Sequence, residues 1–127
     1  MNALAGRRGL AFDVGLPMYF SHAKICDGAG LINGREFSRL TTSQRIKSCL
    51  GNGPDFLWVT QDQYIDVEKF AKPGEFNGWS ICQKFLLDNV STPEMQFLAV
   101  KPDLAKKICA TAIGTIDQDG IISYYQN

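Results

Sequence analysis

Behind the breaker Gly51-Asn52-Gly53-Pro54 stand Phe56-Leu57-Trp58-Val59-Thr60, rich in aromatic and β-branched side chains and without polar alternation. A run of that kind is a fully buried strand. The chain therefore needs a sheet with a true interior, and its remaining periodicities supply the other elements.

Apolar residues alternate at Leu10, Phe12, Val14, Leu16, Met18 and Phe20, which is the period of a strand with one buried face. Gly15 and Pro17 interrupt it and place it at an edge or a bulge. Ser21 is an N-cap for a helical turn through His22 to Cys26. Asp27 to Gly34 is loop chemistry. In the segment TTSQRIKSCL, Thr41, Thr42 or Ser43 caps a short helix carrying Ile46 and Leu50, with Gly51 as its stop. Tyr64, Val67 and Phe70 suit a further helix that Pro73-Gly74 terminates. Ile81, Cys82, Phe85 and Leu86 share a helical face, with Lys84 and Asp88 opposite. Met95 to Val100 is a strand, and Pro102 opens a helix that turns Leu104, Ile108 and Cys109 inward and ends at Gly114. Thr115-Ile116 and Ile121 to Tyr125 flank Asp117-Gln118-Asp119-Gly120, a hairpin with a tight Asp-Gly turn.

This alternation of short strands and helices predicts an α+β fold: one mixed, mostly antiparallel sheet with three or four short helices. With 127 residues, 45% of them hydrophobic, the chain has the length and apolar content of a single domain with a real core. There is no internal repeat or linker, so residues 1–127 form one unit, with residues 1–8 as a loose N-terminal arm.

Thirteen basic and thirteen acidic residues cancel. A generic nucleic-acid binder carries a clustered basic excess, and nothing here asks for that partner. No apolar run reaches the roughly 18 to 20 residues that span a bilayer. The N-terminus does not read as a signal peptide, which leaves a cytosolic chain or a mature domain whose leader was removed. Cys26, Cys49, Cys82 and Cys109 are widely scattered, which excludes CxxC motifs, and the single His excludes Cys₂His₂ zinc. Oxidised pairs are expected, in any of three complete pairings. Few charges and many Gly, Asn, Ser, Thr and Gln lean toward an extracytoplasmic setting.

Catalytic templates each lack a part. His22 and Cys26 are four apart and on a helical turn would share a face, so an imidazole there could activate a thiol; the motifs that surround catalytic cysteines are absent. Gly28, Gly30 and Gly34 give GxGxxxG with neither a βαβ setting nor a following Gly-Lys-Ser. Asp117-Gln118-Asp119-Gly120 opens like a calcium loop, but Ile121 follows and no Glu comes after Glu94. Asp62, Asp66, Glu68 and Glu75 are acidic without a sign of burial. Asn89-Val90-Ser91 is a formal glycosylation sequon.

The segment MQFLAVKPDLAKKICATAIGTIDQDGIISYY resembles the C-terminal half of the globular heads of type IV pilin-like proteins. It runs strand, proline, helix with a central cysteine, and closing hairpin over about a quarter of the chain. The family's long apolar N-terminal helix is missing. The resemblance implies an extracytoplasmic structural or adhesive domain, kept as the alternative reading.

The main expectation is a non-enzymatic binding protein of inhibitor, immunity or anti-defence type, acting on another protein without a cofactor. A thiol enzyme using Cys26 is the second alternative. The expected partner contact is the loop with Phe76, Asn77 and Trp79, whose rings would be presented on a turn between Pro73-Gly74 and the next element.

Overall fold

The computed structural model describes residues 4–12, 22–30, 33–87 and 93–126. At its centre Phe56–Thr60 forms β3, buried at all five positions. A strand with no wet face needs a layer on each side of its sheet. Its neighbours are β1 (Arg8–Ala11) and β5 (Glu94–Val100). Beyond them lie β2 (Lys24–Asp27) on one side, and β4 (Ser80–Leu87), β6 (Gly114–Ile116) and β7 (Ile122–Tyr124) on the other, in the order β2-β1-β3-β5-β4-β6-β7. β1 runs parallel to β2 and β3, and every other neighbouring pair is antiparallel. The chain is thus an α+β domain with one mixed, mostly antiparallel sheet and, among the described residues, four helices: α1 (Arg35–Ser38), α2 (Thr42–Gly51), α3 (Gln61–Phe70) and α4 (Pro102–Ile108).

Side-chain alternation along β3 divides the interior in two. Leu57 and Val59 join Leu10, Ile81, Phe97 and Ala99 beneath α2 and α3, which contribute Ile46, Cys49, Tyr64 and Val67. Phe56 and Trp58 face the other way, with Ala11, Leu98, Val100, Leu104 of α4, and Leu4. Trp58 Nε1 donates to Gln96 Oε1 at 2.7 Å, which satisfies the indole inside that second layer.

A disulfide fastens each layer to the sheet. Cys26 of β2 is bonded to Cys49 of α2, and Cys82 of β4 to Cys109, the residue that caps α4. The Cα separations are 5.6 and 5.0 Å, within ordinary disulfide reach.

Both longer helices begin with a capping box. Thr41 Oγ1 accepts from Gln44 N while Gln44 Oε1 accepts from Thr41 N, and Thr60 with Gln63 repeats the pattern. The second box lets β3 pass straight into α3 with no loop between them. The closing hairpin is present: Asp117 Oδ1 accepts from the backbones of Asp119 and Ile121, and Gly120 adopts φ 79°.

Four expectations are corrected. Residues 80–87 are a strand, β4, not a helix. A bulge between Ile81 and Gln83 inserts one residue into the pairing with β5, so Cys82 and Phe85 reach the same face although three apart. That spacing imitates a helical stripe. His22 to Cys26 is not a helical turn, because Lys24–Asp27 takes its backbone partners from β1. The helix opened by Pro102 ends at Ile108; Gly114 lies in β6, where a Cβ would stand 2.6 Å from the Ser123 carbonyl oxygen. The arm expected over residues 1–8 is docked from Leu4 onward: Leu4 is fully buried, Lys24 N donates to Arg7 O, and Arg8 opens β1. The strand expected from Leu10 to Phe20 is seen through Ala11 as part of β1, and residues 13–20 lie outside the described residues.

Candidate functional site

The parallel register of β1 and β2 pairs Arg8 with Lys24 and Leu10 with Cys26. Leu10 faces the α2 side of the sheet, so alternation puts Arg8 and Lys24 on that side as well, one pleat nearer the strand starts. There the last turn of α2 stops short of the sheet end, leaving a cleft of about 600 Å³. Ile25, Phe37 and the Cys26–Cys49 bond line it, along with Ser48, Asn52 and Pro54. Arg8 and Lys24 are its only charged lining residues among those described, and both are cations.

Each wall is held by identifiable bonds. Arg8 Nη1 donates to the Asn52 carbonyl at 2.8 Å, and its backbone N donates to Asp55 Oδ2 at 3.0 Å. Asp55 in turn pairs with Lys101 Nζ at 2.6 Å. Burial works to raise the Asp55 pKa, but the Lys101 and Arg8 hydrogen bonds prevail and hold it below its ordinary value of 3.8. Asp55 is therefore an ionised anchor already engaged by Lys101, and the Lys24 ammonium has no hydrogen-bond or ion-pair partner among the described residues. Asn33 Nδ2 donates to Ile25 O and its Oδ1 accepts from Asp27 N, which pins the loop after β2.

The glycine-rich stretch is a structural joint. Arg45 Nε donates to Gly28 O, and the same guanidinium reaches Leu40 O and Thr42 Oγ1. Its side chain lies against Gly30, where a Cβ would stand 3.0 Å from Arg45 Cδ. A second cleft of about 580 Å³ adjoins the other side of Gly51, lined by Lys47, Leu50, Phe70, Lys72, Pro73 and Glu75. Lys47 Nζ lies 5.3 Å from the Phe70 ring centroid.

The expectation that the rings of Phe76 and Trp79 are presented on an exposed turn is corrected. Phe76 and Trp79 are 2% and 6% exposed, packed edge to face at 4.9 Å, and both belong to the core beneath α3. β6 draws the loop in: Gly78 N donates to Ile116 O, and Trp79 O accepts from Ile116 N and Thr115 Oγ1. Of the three residues only Asn77 is exposed. Cys26, Cys49, Cys82 and Cys109 are all in disulfides, so the thiolate a Cys26 enzyme needs is tied up in a bond to Cys49. Exposed His22, with φ 74°, begins the approach to β2 and hands its carbonyl to Gly6 N. Asp66 pairs with Lys69 across one helical turn at 3.8 Å, and Asp62 is also exposed. No group of three His, Cys, Asp or Glu suited to a metal occurs among the described residues. The sequon at 89–91 lies outside the described residues.

Arg8 and Lys24 were not legible as a pair, since sixteen positions separate them and only strand register brings them together. No family model, curated protein or solved structure matches the chain.

Proposed function

We propose that this chain is a non-enzymatic binding domain of an oxidising, extracytoplasmic compartment, and that its cleft takes an acidic side chain of a protein partner. The supporting observation is the cleft's charge: Arg8 and Lys24 stand together over an apolar floor, with no carboxylate in the lining among the described residues. Both side chains are exposed at the cleft rim, and two adjacent cations attract an anion more strongly than one alone. The setting follows from the two disulfides, since such bonds persist where thiols are kept oxidised. Among the described residues no helix is long and apolar enough to cross a membrane.

The test is an array of random peptides fixed in Asp or Glu at one position, against arrays with Asn or Gln there. The acidic arrays should bind, and Lys24→Glu should abolish the preference while leaving the far-UV circular dichroism unchanged. Equal binding to acidic and amide arrays refutes the reading. The structural or adhesive alternative keeps the support of the two disulfides and of the order β5, Pro102, α4, β6, β7. Cys109 caps the helix there and is not central to it.

A further inference from the structure

β7 is the last strand of the sheet, and its ladder with β6 decides which of its backbone groups are free. Tyr125 N donates to Ile113 O, and Asp117 N donates to Ile121 O. In an antiparallel ladder hydrogen-bonded pairs alternate with non-bonded ones. Ile121, Ser123 and Tyr125 therefore turn their N–H and C=O groups toward β6, and Ile122 and Tyr124 turn theirs outward. Among the described residues no strand pairs with that outer side.

An open edge is normally protected by charge, proline or a bulge. Ile121-Ile122-Ser123-Tyr124-Tyr125 carries no charge and no proline, and its pairing with β6 is regular. Ile121 is 59% and Tyr125 55% exposed, large for apolar side chains. At the opposite edge, β2 carries Lys24 and Asp27.

We infer that β7 pairs with β7 of a second copy of this chain, antiparallel about a two-fold axis at Ser123. The segment is complementary to itself in that register. Ile122 meets Tyr124 of the other copy and Tyr124 meets Ile122, each pair exchanging two backbone hydrogen bonds through the outward groups. Ile121 meets Tyr125, and the two Ser123 residues face each other at the axis. Aromatic with β-branched is a favourable cross-strand pairing, and no like charges oppose. Such an isologous contact closes at two subunits and extends the seven strands into one sheet across both. It is short, so the dimer is weak and concentration-dependent.

Sedimentation equilibrium of the oxidised protein should show a monomer–dimer equilibrium at concentrations up to about 1 mM. Tyr124→Pro removes an outward donor that the ladder with β6 does not use, so it should keep the fold and weaken dimerisation at least about tenfold. Tyr124→Phe should keep the dimer. Ser123→Cys adds one free thiol at the axis, where facing Cα atoms of a non-bonded pair lie roughly 4.5 Å apart, within disulfide reach. Mild oxidation should cross-link it to a dimer faster than Ser38→Cys on the exposed α1. A chain that stays monomeric throughout, a dimer that survives Tyr124→Pro, or equal cross-linking at positions 123 and 38 overturns the inference.

Discussion

Trp79→Ala tests whether the loop before β4 serves the core or a partner. Trp79 is 6% exposed, its ring meets Phe76 edge to face at 4.9 Å, and Phe76 leans on Tyr64 at 6.1 Å. Truncating a buried Trp to Ala costs about 3 to 5 kcal/mol, through lost transfer free energy and the cavity left behind. The backbone bonds of Trp79 to Ile116 and Thr115 survive the substitution, so relaxation is restricted and the upper half of that range applies. Against a total stability of about 5 to 15 kcal/mol, that is a large share. For a domain of this size the melting temperature should fall by roughly 10 to 20 °C. Urea unfolding of the oxidised protein, followed by circular dichroism, gives the value directly. The neighbour Asn77→Ala is the control, because an exposed side chain should shift stability by less than about 0.5 kcal/mol. A Trp79→Ala loss below about 1 kcal/mol would refute the reasoning, since a ring removable at that cost is not packed as described.

Gly120→Val combines a positive φ with a Cβ 2.8 Å from Glu68 Oε1, so urea unfolding should show a loss of about 1 to 3 kcal/mol; a neutral result removes the turn. Because the Asp55 pKa is lower folded than unfolded, its stabilisation is complete above the unfolded value and is lost as pH falls through the folded one. Unfolding midpoints should therefore drop less between pH 6 and about pH 3 in Asp55→Asn than in the native chain, and identical slopes would contradict this. Replacing Cys82 and Cys109 together by Ala opens a loop of 27 residues and should cost about 3.5 kcal/mol by chain entropy; an unchanged urea midpoint would mean that this bond does not constrain the unfolded chain.

Much of the fold was legible because local chemistry and tertiary demand coincide. β3 reads as buried and is buried at every position, α2 begins directly after its cap Thr41, and Asp119-Gly120 makes the turn it predicts. Periodicity alone reads β4 as a helix, because it assumes an unbroken register. The inserted residue lets Cys82 and Phe85 share a face three positions apart, while Ile81 joins the opposite layer and Leu86 is exposed, and only knowledge of the partner strand separates this pattern from a helix. The start of α3 carries a local signal of its own. Thr60-Gln61-Asp62-Gln63 repeats the Thr41-Thr42-Ser43-Gln44 capping pattern, and it places the helix boundary at the last residue of β3.

The loop and the cleft differ in a more basic way. Phe76 and Trp79 suggest a contact because exposed aromatics mark contacts, yet the same area argument holds when a neighbouring strand covers them. Sequence gives the need for burial and not the surface that meets it; here the Ile116 backbone and the Thr115 hydroxyl, far along the chain, provide the bonds that fold the loop inward. Arg8 and Lys24 show the converse. Neither residue is unusual alone, and Arg8 looks like part of a solvated terminus. Parallel pairing of two four-residue strands sets the cations side by side, and the bond from Cys26 to Cys49 fixes the helix end that walls them in. The cleft is thus a product of register and cross-linking, both long-range properties, and no local pattern of residue types encodes it.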